Sequence, residues 1–176
     1  MNAPEEWLGY LEHRTPELLG LYTANAGKGG YTIFATLLAL SQGRNLQGLP
    51  WCVTFVHAAY NRPDILGKAH PGSRVLRRRM KRKGLWRGRD YIPQRYDIIF
   101  CSNRATSRTD HVGIVTGYAD GVVHSIDGNT VDPSGVFRPE QGGAVAHRER
   151  RHDDPKIVGY AAIGHLIENG GNSYGN

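Results

Sequence analysis

The apolar period of this chain changes once, near Tyr91, and that change restricts its architecture more than any other feature. From Tyr91 onward YDIIFC, HVGIVTGY, GVVHSIDGN, GAVAHRER and IVGYAAI are short, alternating and rich in β-branched residues, with Gly, Asp, Asn and Pro between them. Before it the spacing is helical. Trp7, Leu8 and Leu11 share a face, and Thr15-Pro16-Glu17 reads as a helix start for Leu18, Leu19 and Tyr22. Asn25 to Gly30 breaks that helix, and Tyr31, Phe34, Leu37 and Leu38 resume the period. After a loop from Gly43 to Pro50, WCVTFVHAAY reads as a helix that starts near Pro50 and buries Val53, Val56 and Tyr60. Helices first and antiparallel strands afterward give an α+β domain. No repeat or linker divides it. The expected organisation is a single domain over 1–167, with a helical lead-in over 1–49 and a disordered tail over 168–176.

At 176 residues, with 39% hydrophobic and 22% charged residues, the chain buries a sizeable core without disulfides. No apolar stretch is long enough to span a bilayer, and MNAPEEWLGYLEHR lacks the pattern of a secretory leader. Synthesis in the cytoplasm is expected, with action elsewhere requiring release or delivery by another agent. Two cysteines, Cys52 and Cys101, are too few for a disulfide scaffold and lack zinc-site spacing, and a reducing compartment argues against joining them. The net charge of +6 is local. Arg74 to Asp90 holds nine arginines and lysines against Asp90 alone, so the rest of the chain is net negative.

Cys52 falls one or two residues into its helix, where unpaired backbone N–H groups and the positive helix end stabilise an anion. The same groups suit the oxyanion formed when a thiolate attacks a carbonyl. His111 opens a strand after the polar stretch Ser102 to Asp110. A hairpin turning at Ala119-Asp120-Gly121, with Tyr118 opposite Val122, puts Val112, Ile114, Val122 and Ile126 on one face. On the other face His111 lies opposite Asn129 and diagonal to Asp127, within reach of a histidine–carboxylate hydrogen bond. A two-residue Asp120-Gly121 turn shifts that register by one and breaks the arrangement. Nucleophile, base and orienting acceptor form the pattern of covalent amide hydrolysis, with Asp127 or Asn129 holding the imidazole.

These motifs resemble the CHAP family of cysteine- and histidine-dependent amidohydrolase/peptidases, among the papain-like cell-wall hydrolases. The likeness rests on PWCVTFV, YDIIF, HVGIVTGY, SIDGNT and the closing IVGYAAI; TANAGKGGYT is similar to the lead-in of stand-alone members from phages and mobile elements. The resemblance implies a papain-like fold, with the cysteine helix packed on a small antiparallel sheet or barrel. It implies Cys52 as nucleophile, His111 as base, and Asp127 and Asn129 at the acidic and asparagine positions. Tyr96 stands where the family usually has Gly before Asp97, and Asp127 where Glu is commoner. The implied reaction is cleavage of peptidoglycan at the muramoyl–alanine amide or within the stem peptide or cross-bridge, as in a phage or prophage lysin acting at the Gram-positive wall.

Ser41 to Leu49 has none of the acidic residues through which some members bind calcium, so no metal or cofactor is expected. Cys101, His57 and His124 read as structural or surface residues, and Gly27-Lys28-Gly29-Gly30 as a helix-breaking loop rather than a phosphate loop. The basic run VLRRRMKRKGLW reads as an amphipathic helix whose cationic face suits anionic wall polymers; nucleic acid is the lesser use, since no recognised motif accompanies it. A monomer without membrane contact is expected. Two rival functions are a catalytically silent wall-binding or tail module and a papain-like effector protease acting on a non-wall amide.

Overall fold

A computed structural model describes residues 3–13, 30–131 and 143–169. After a 3-10 turn at Pro4–Trp7 come α1 (Ile33–Gln42), α2 (Cys52–Tyr60), α3 (Pro63–Leu66) and α4 (Ser73–Arg82). The strands follow: β1 (Trp86–Arg87), β2 (Ile98–Cys101), β3 (His111–Ala119), β4 (Val122–Thr130), β5 (Ala144–Arg151) and β6 (Ile157–Ala161), then α5 (Gly164–Asn169). The strands form one antiparallel sheet in the order β1-β6-β2-β3-β4-β5. This is the papain-like α+β arrangement expected from the sequence, with an open sheet rather than a closed barrel. No helix among the described residues is long and apolar enough to cross a membrane.

The larger core lies between α2 and one sheet face, where Val53, Phe55, Val56 and Tyr60 meet Ile98, Phe100, Val112, Ile114 and Ile126. α2 is buried on nearly every side, a wider contact than the stripe of Val53, Val56 and Tyr60. Thr32 caps α1 by accepting from Ala35 N, and Gly43 ends it in the left-handed region. A smaller cluster of Ile99, Cys101, Val115, Val123, Ile157 and Tyr160 occupies the opposite sheet face.

Trp7, Leu8 and Leu11 do not share a helix. The chain turns at Gly9 (φ 82°) and runs extended beside β5, with Gly9 N donating to Val145 O, Val145 N to Tyr10 O, and Glu12 N to Gly143 O. Backbone pairing with β5 overrides the helical spacing and still buries Tyr10 and Leu11. The helix expected after Thr15 and the loop Gly27-Lys28-Gly29 lie outside the described residues. α5 reaches Asn169, inside the segment expected to be a tail; residues 170–176 lie outside the description.

The β3–β4 hairpin contains both registers weighed from the sequence. Asp120 and Gly121 form a two-residue turn with φ of 50° and 76°, as a type I′ turn requires, pairing Ala119 with Val122 and Tyr118 with Val123. Between Gly117 and Val115 an extra β3 residue, Thr116, is accommodated as a bulge. Beyond it Val115 pairs with Ser125 and Ile114 with Ile126, the register that keeps both isoleucines in the core. The expected three-residue turn is therefore wrong, because Asp-Gly supplies the twist a tight hairpin favours. The expected register at the site is reached because the bulge absorbs the shift.

Candidate active site

Cys52 is the first residue of α2, so the helix begins two residues later than a start at Pro50; Trp51 is the N-cap and has no side-chain capping bond. Its position is set from two directions. Phe34 stacks on the Trp51 ring at 5.5 Å, and Trp51 Nε1 donates to Glu12 Oε2 at 2.8 Å. Glu12 is buried, and burial raises its pKa against the opposing effect of the Trp51 bond. From the sheet side, Gly128 lets β4 approach α2. A Cβ there would lie 2.6 Å from Phe55 Cβ and 2.8 Å from the Trp51 ring, so any other residue pushes the cysteine helix away.

His111 begins β3 opposite Cys101 on β2, and its side chain is 15% exposed. Its Nε2 lies 2.7 Å from Asp127 Oδ2, and Cys52 is close enough to the ring to raise its pKa. With Nε2 engaged by the carboxylate, Nδ1 is the ring atom that serves the sulfur. Burial alone would lower the His111 pKa. The hydrogen bond to Asp127 and the nearby Cys52, reinforced by the charges of both, reverse that effect and lift it to about 10.

Asp127 is fully buried on β4. Oδ1 accepts from Ser125 Oγ at 2.7 Å; Oδ2 accepts from His111 and from Arg150 Nη2 at 2.6 Å. Arg150 Nη1 donates to Ser125 Oγ at 2.8 Å, closing a ring of contacts around the carboxylate. Burial favours the neutral acid, but the Arg150 charge and the hydrogen bonds from His111 and Arg150 prevail and hold the pKa well below the ordinary range. Gly113 makes room for this carboxylate. A Cβ there would lie 2.0 Å from Asp127 Oδ1.

The structure thus brings together Cys52, His111 and Asp127. Asn129, the alternative acceptor, sits at φ 54° where β4 carries an extra residue between Asp127 and Thr130, and it makes no hydrogen bond to His111. Sequence reasoning missed Arg150 and Ser125. Alternation along AVAHRERR puts Arg150 on the face of Ser125 and Asp127 once Val123 is paired with it, but that pairing is not visible in β5 alone.

The neighbouring residues read as structural keep that character. Cys101 is buried, and burial raises its thiol to about 12. His57 is sealed inside α2's packing, while His124 is part-exposed with Nδ1 3.4 Å from Glu149 Oε1. Tyr96 has φ 66°, which explains the preference for glycine there. The tyrosine is held by Tyr60 Oη donating to its carbonyl at 2.7 Å and by its own N donating to Val115 O. Among the described residues no three His, Cys, Asp or Glu side chains gather as a metal centre would need.

This arrangement, a sulfur at a helix start against an imidazole backed by a buried carboxylate, is competent for nucleophilic attack on a carbonyl. No curated protein matches the chain. Residues 44–129 match the model of the CHAP domain, a family of peptidoglycan amidase- and peptidase-type hydrolases. The match begins just before α2 and ends at Asn129, so it contains Cys52, His111 and Asp127 but neither Glu12 nor Arg150. The segment that supplies the three site residues, residues 44–129, is a CHAP domain by this match.

Proposed function

We propose that this protein is a peptidoglycan hydrolase that cuts an amide of the wall with Cys52 as nucleophile, His111 as general base and acid, and Asp127 as the residue that orients His111. The observation that carries the reading is the convergence of Cys52, at the start of α2, on His111, whose Nε2 lies 2.7 Å from a buried Asp127. His111 Nδ1 takes the thiol proton as sulfur attacks the carbonyl carbon. The oxyanion meets the N–H groups at the start of α2. Collapse breaks the carbon–nitrogen bond, and the imidazolium gives its proton to the departing amine. Water then attacks the thioester, passes a proton to His111, and releases the carboxylic acid and the thiol. Arg150 keeps Asp127 ionised throughout.

Within this reading one catalytic domain spans 1–167, acts as a monomer without a metal, and reaches the wall by release or delivery, as a phage or prophage lysin does. The exposed cations from Arg74 to Arg89 hold it to anionic wall polymers. Digestion of purified Gram-positive peptidoglycan, followed by mass spectrometry of the soluble products, tests the reading. Wild type is expected to release peptides or muropeptides with new amine and carboxyl ends, and Cys52→Ala to release none. Equal release by both proteins would remove Cys52 from the chemistry, and no release by wild type would exclude the wall as substrate.

A further inference from the structure

A recess of about 480 Å³ lies at the start of α4, beside the strand end that carries His111. Arg74, Arg104 and Arg108 line it, and none of the three forms an ion pair among the described residues. Asp110 is the carboxylate on its wall, and Asp110 Oδ1 already accepts from Asn103 N at 2.9 Å. The ten-residue α4 begins here. Ser73 Oγ donates to Thr109 O at 2.8 Å, and the N-cap, Gly72, has no side chain to accept from the first helical N–H groups. These groups and the helix dipole favour an anion at this end.

A second, independent observation also indicates a ligand. Thr109 lines the recess, is 1% exposed, and its hydroxyl has no hydrogen-bond partner among the described residues. A buried hydroxyl without a partner is costly unless a ligand completes it. Among the described residues the recess therefore combines three guanidinium groups without an ion pair, a positive helix end and an unused donor two residues from the site's histidine.

We propose that this recess binds a carboxylate on the same peptide strand whose amide Cys52 attacks. The assignment to a peptide carboxylate rests on the wall-hydrolase reading above. Proximity to His111 requires the anion to be close to the cleaved bond, and stem peptides carry carboxylates beside their amides. The phosphates of a wall polymer need no such proximity and suit the outer face of α4 instead.

The test uses two soluble stem-peptide substrates that differ only in a carboxylate or a carboxamide next to the cleaved bond. Wild type is expected to show a KM about tenfold lower for the carboxylate, as charge-assisted hydrogen bonds imply. The double variant Arg104→Gln/Arg108→Gln, altered only on an exposed loop, is expected to lose that preference by raising KM for the carboxylate form. No preference in wild type, or an equal loss on both substrates, would overturn the proposal. Titration of full-length Cys52→Ala with inorganic phosphate, followed through the backbone amide signals of Ser73, Arg74 and Thr109, gives a readout independent of hydrolysis. Saturable shifts that disappear with the double variant support an anion site, and absent shifts overturn it. If shifts occur while wild type cleaves neither peptide, the hydrolase reading and its carboxylate assignment both fall. Displacement of phosphate by a polyphosphodiester but not by the carboxylated peptide would assign the recess to wall polymer and overturn the proposal.

Discussion

His57 and His111 are both withdrawn from water, one in the middle of α2 and the other at the rim of β3, yet their surroundings shift their affinity for a proton in opposite directions. At His57, burial, followed by the charges of Arg79 and His70, lowers the pKa to about 3, and Nε2 has no partner among the described residues. At His111 a carboxylate at 2.7 Å and the Cys52 sulfur overcome the same burial effect and raise it to about 10. Burial alone therefore does not make a histidine useful as a catalyst. The difference is the anionic partner, and that partner is itself maintained by Arg150 across the β4–β5 pair.

The largest effect expected from breaking this contrast is at Asp127. Asp127→Asn keeps the shape but removes the charge and favours the wrong tautomer, so kcat is expected to fall by about 10³–10⁴-fold, as triad acids do elsewhere. Steady-state kinetics on digested wall checks this, alongside a thermal melt showing that the variant folds. A loss below about tenfold would mean that His111 is oriented by something other than this carboxylate.

Arg150→Gln comes next. It leaves a buried carboxylate without its cation, which costs about 3–5 kcal/mol of stability. Asp127 then protonates at higher pH, so the acid limb of kcat/KM moves upward, whereas Arg150→Lys retains part of the charge and moves it less. Denaturant melts and pH–rate profiles of the three proteins separate this role from simple packing. A lower melting point with an unmoved acid limb would leave Arg150 as a structural residue only.

The smallest effect concerns His57 and appears only in stability. A histidine whose folded pKa is depressed takes up its proton more readily when unfolded. Stability is therefore lost as pH falls from about 6.5, the unfolded value, toward 3. His13 and His70 are shifted the same way by burial, and Asp127 adds a loss below about pH 4, where the unfolded chain takes up a proton that the folded carboxylate does not. His57→Gln is expected to flatten the stability profile between about pH 6.5 and 4 while leaving activity at pH 7 unchanged. His111 has the opposite sign: its contribution is fully present below 6.5 and is lost as pH rises through about 10. Urea melts across this range test both signs, and an unchanged acid limb in His57→Gln would contradict the assignment.

The same contrast shows how far the sequence could be read. Cys52 at a helix start and Asp127 diagonal to His111 were legible because both follow from local periods of one helix and one hairpin. The turn at Asp120-Gly121 was not, since the apolar pattern specifies the register near Ile114 and Ile126 but not the Thr116 bulge that connects it to a two-residue turn. Arg150 was hidden for a different reason. An arginine in HRERR reads as solvated, and only the pairing of Val123 with Arg150 brings its guanidinium to a carboxylate 23 positions away. Glu12 was equally hidden, because its bond to Trp51 depends on an N-terminal segment that pairs with β5.

The central claim is that the sulfur of Cys52 is activated by His111, and alkylation tests it without any substrate. Wild type, His111→Ala and Asp127→Asn are treated with iodoacetamide at pH 7, and modification of Cys52 and Cys101 is followed by peptide mass spectrometry. Cys52 is expected to react quickly in wild type and about tenfold or more slowly in both variants, while Cys101, buried and raised to about 12, stays unmodified. Equal Cys52 rates in all three proteins, or faster labelling of Cys101, would contradict the account.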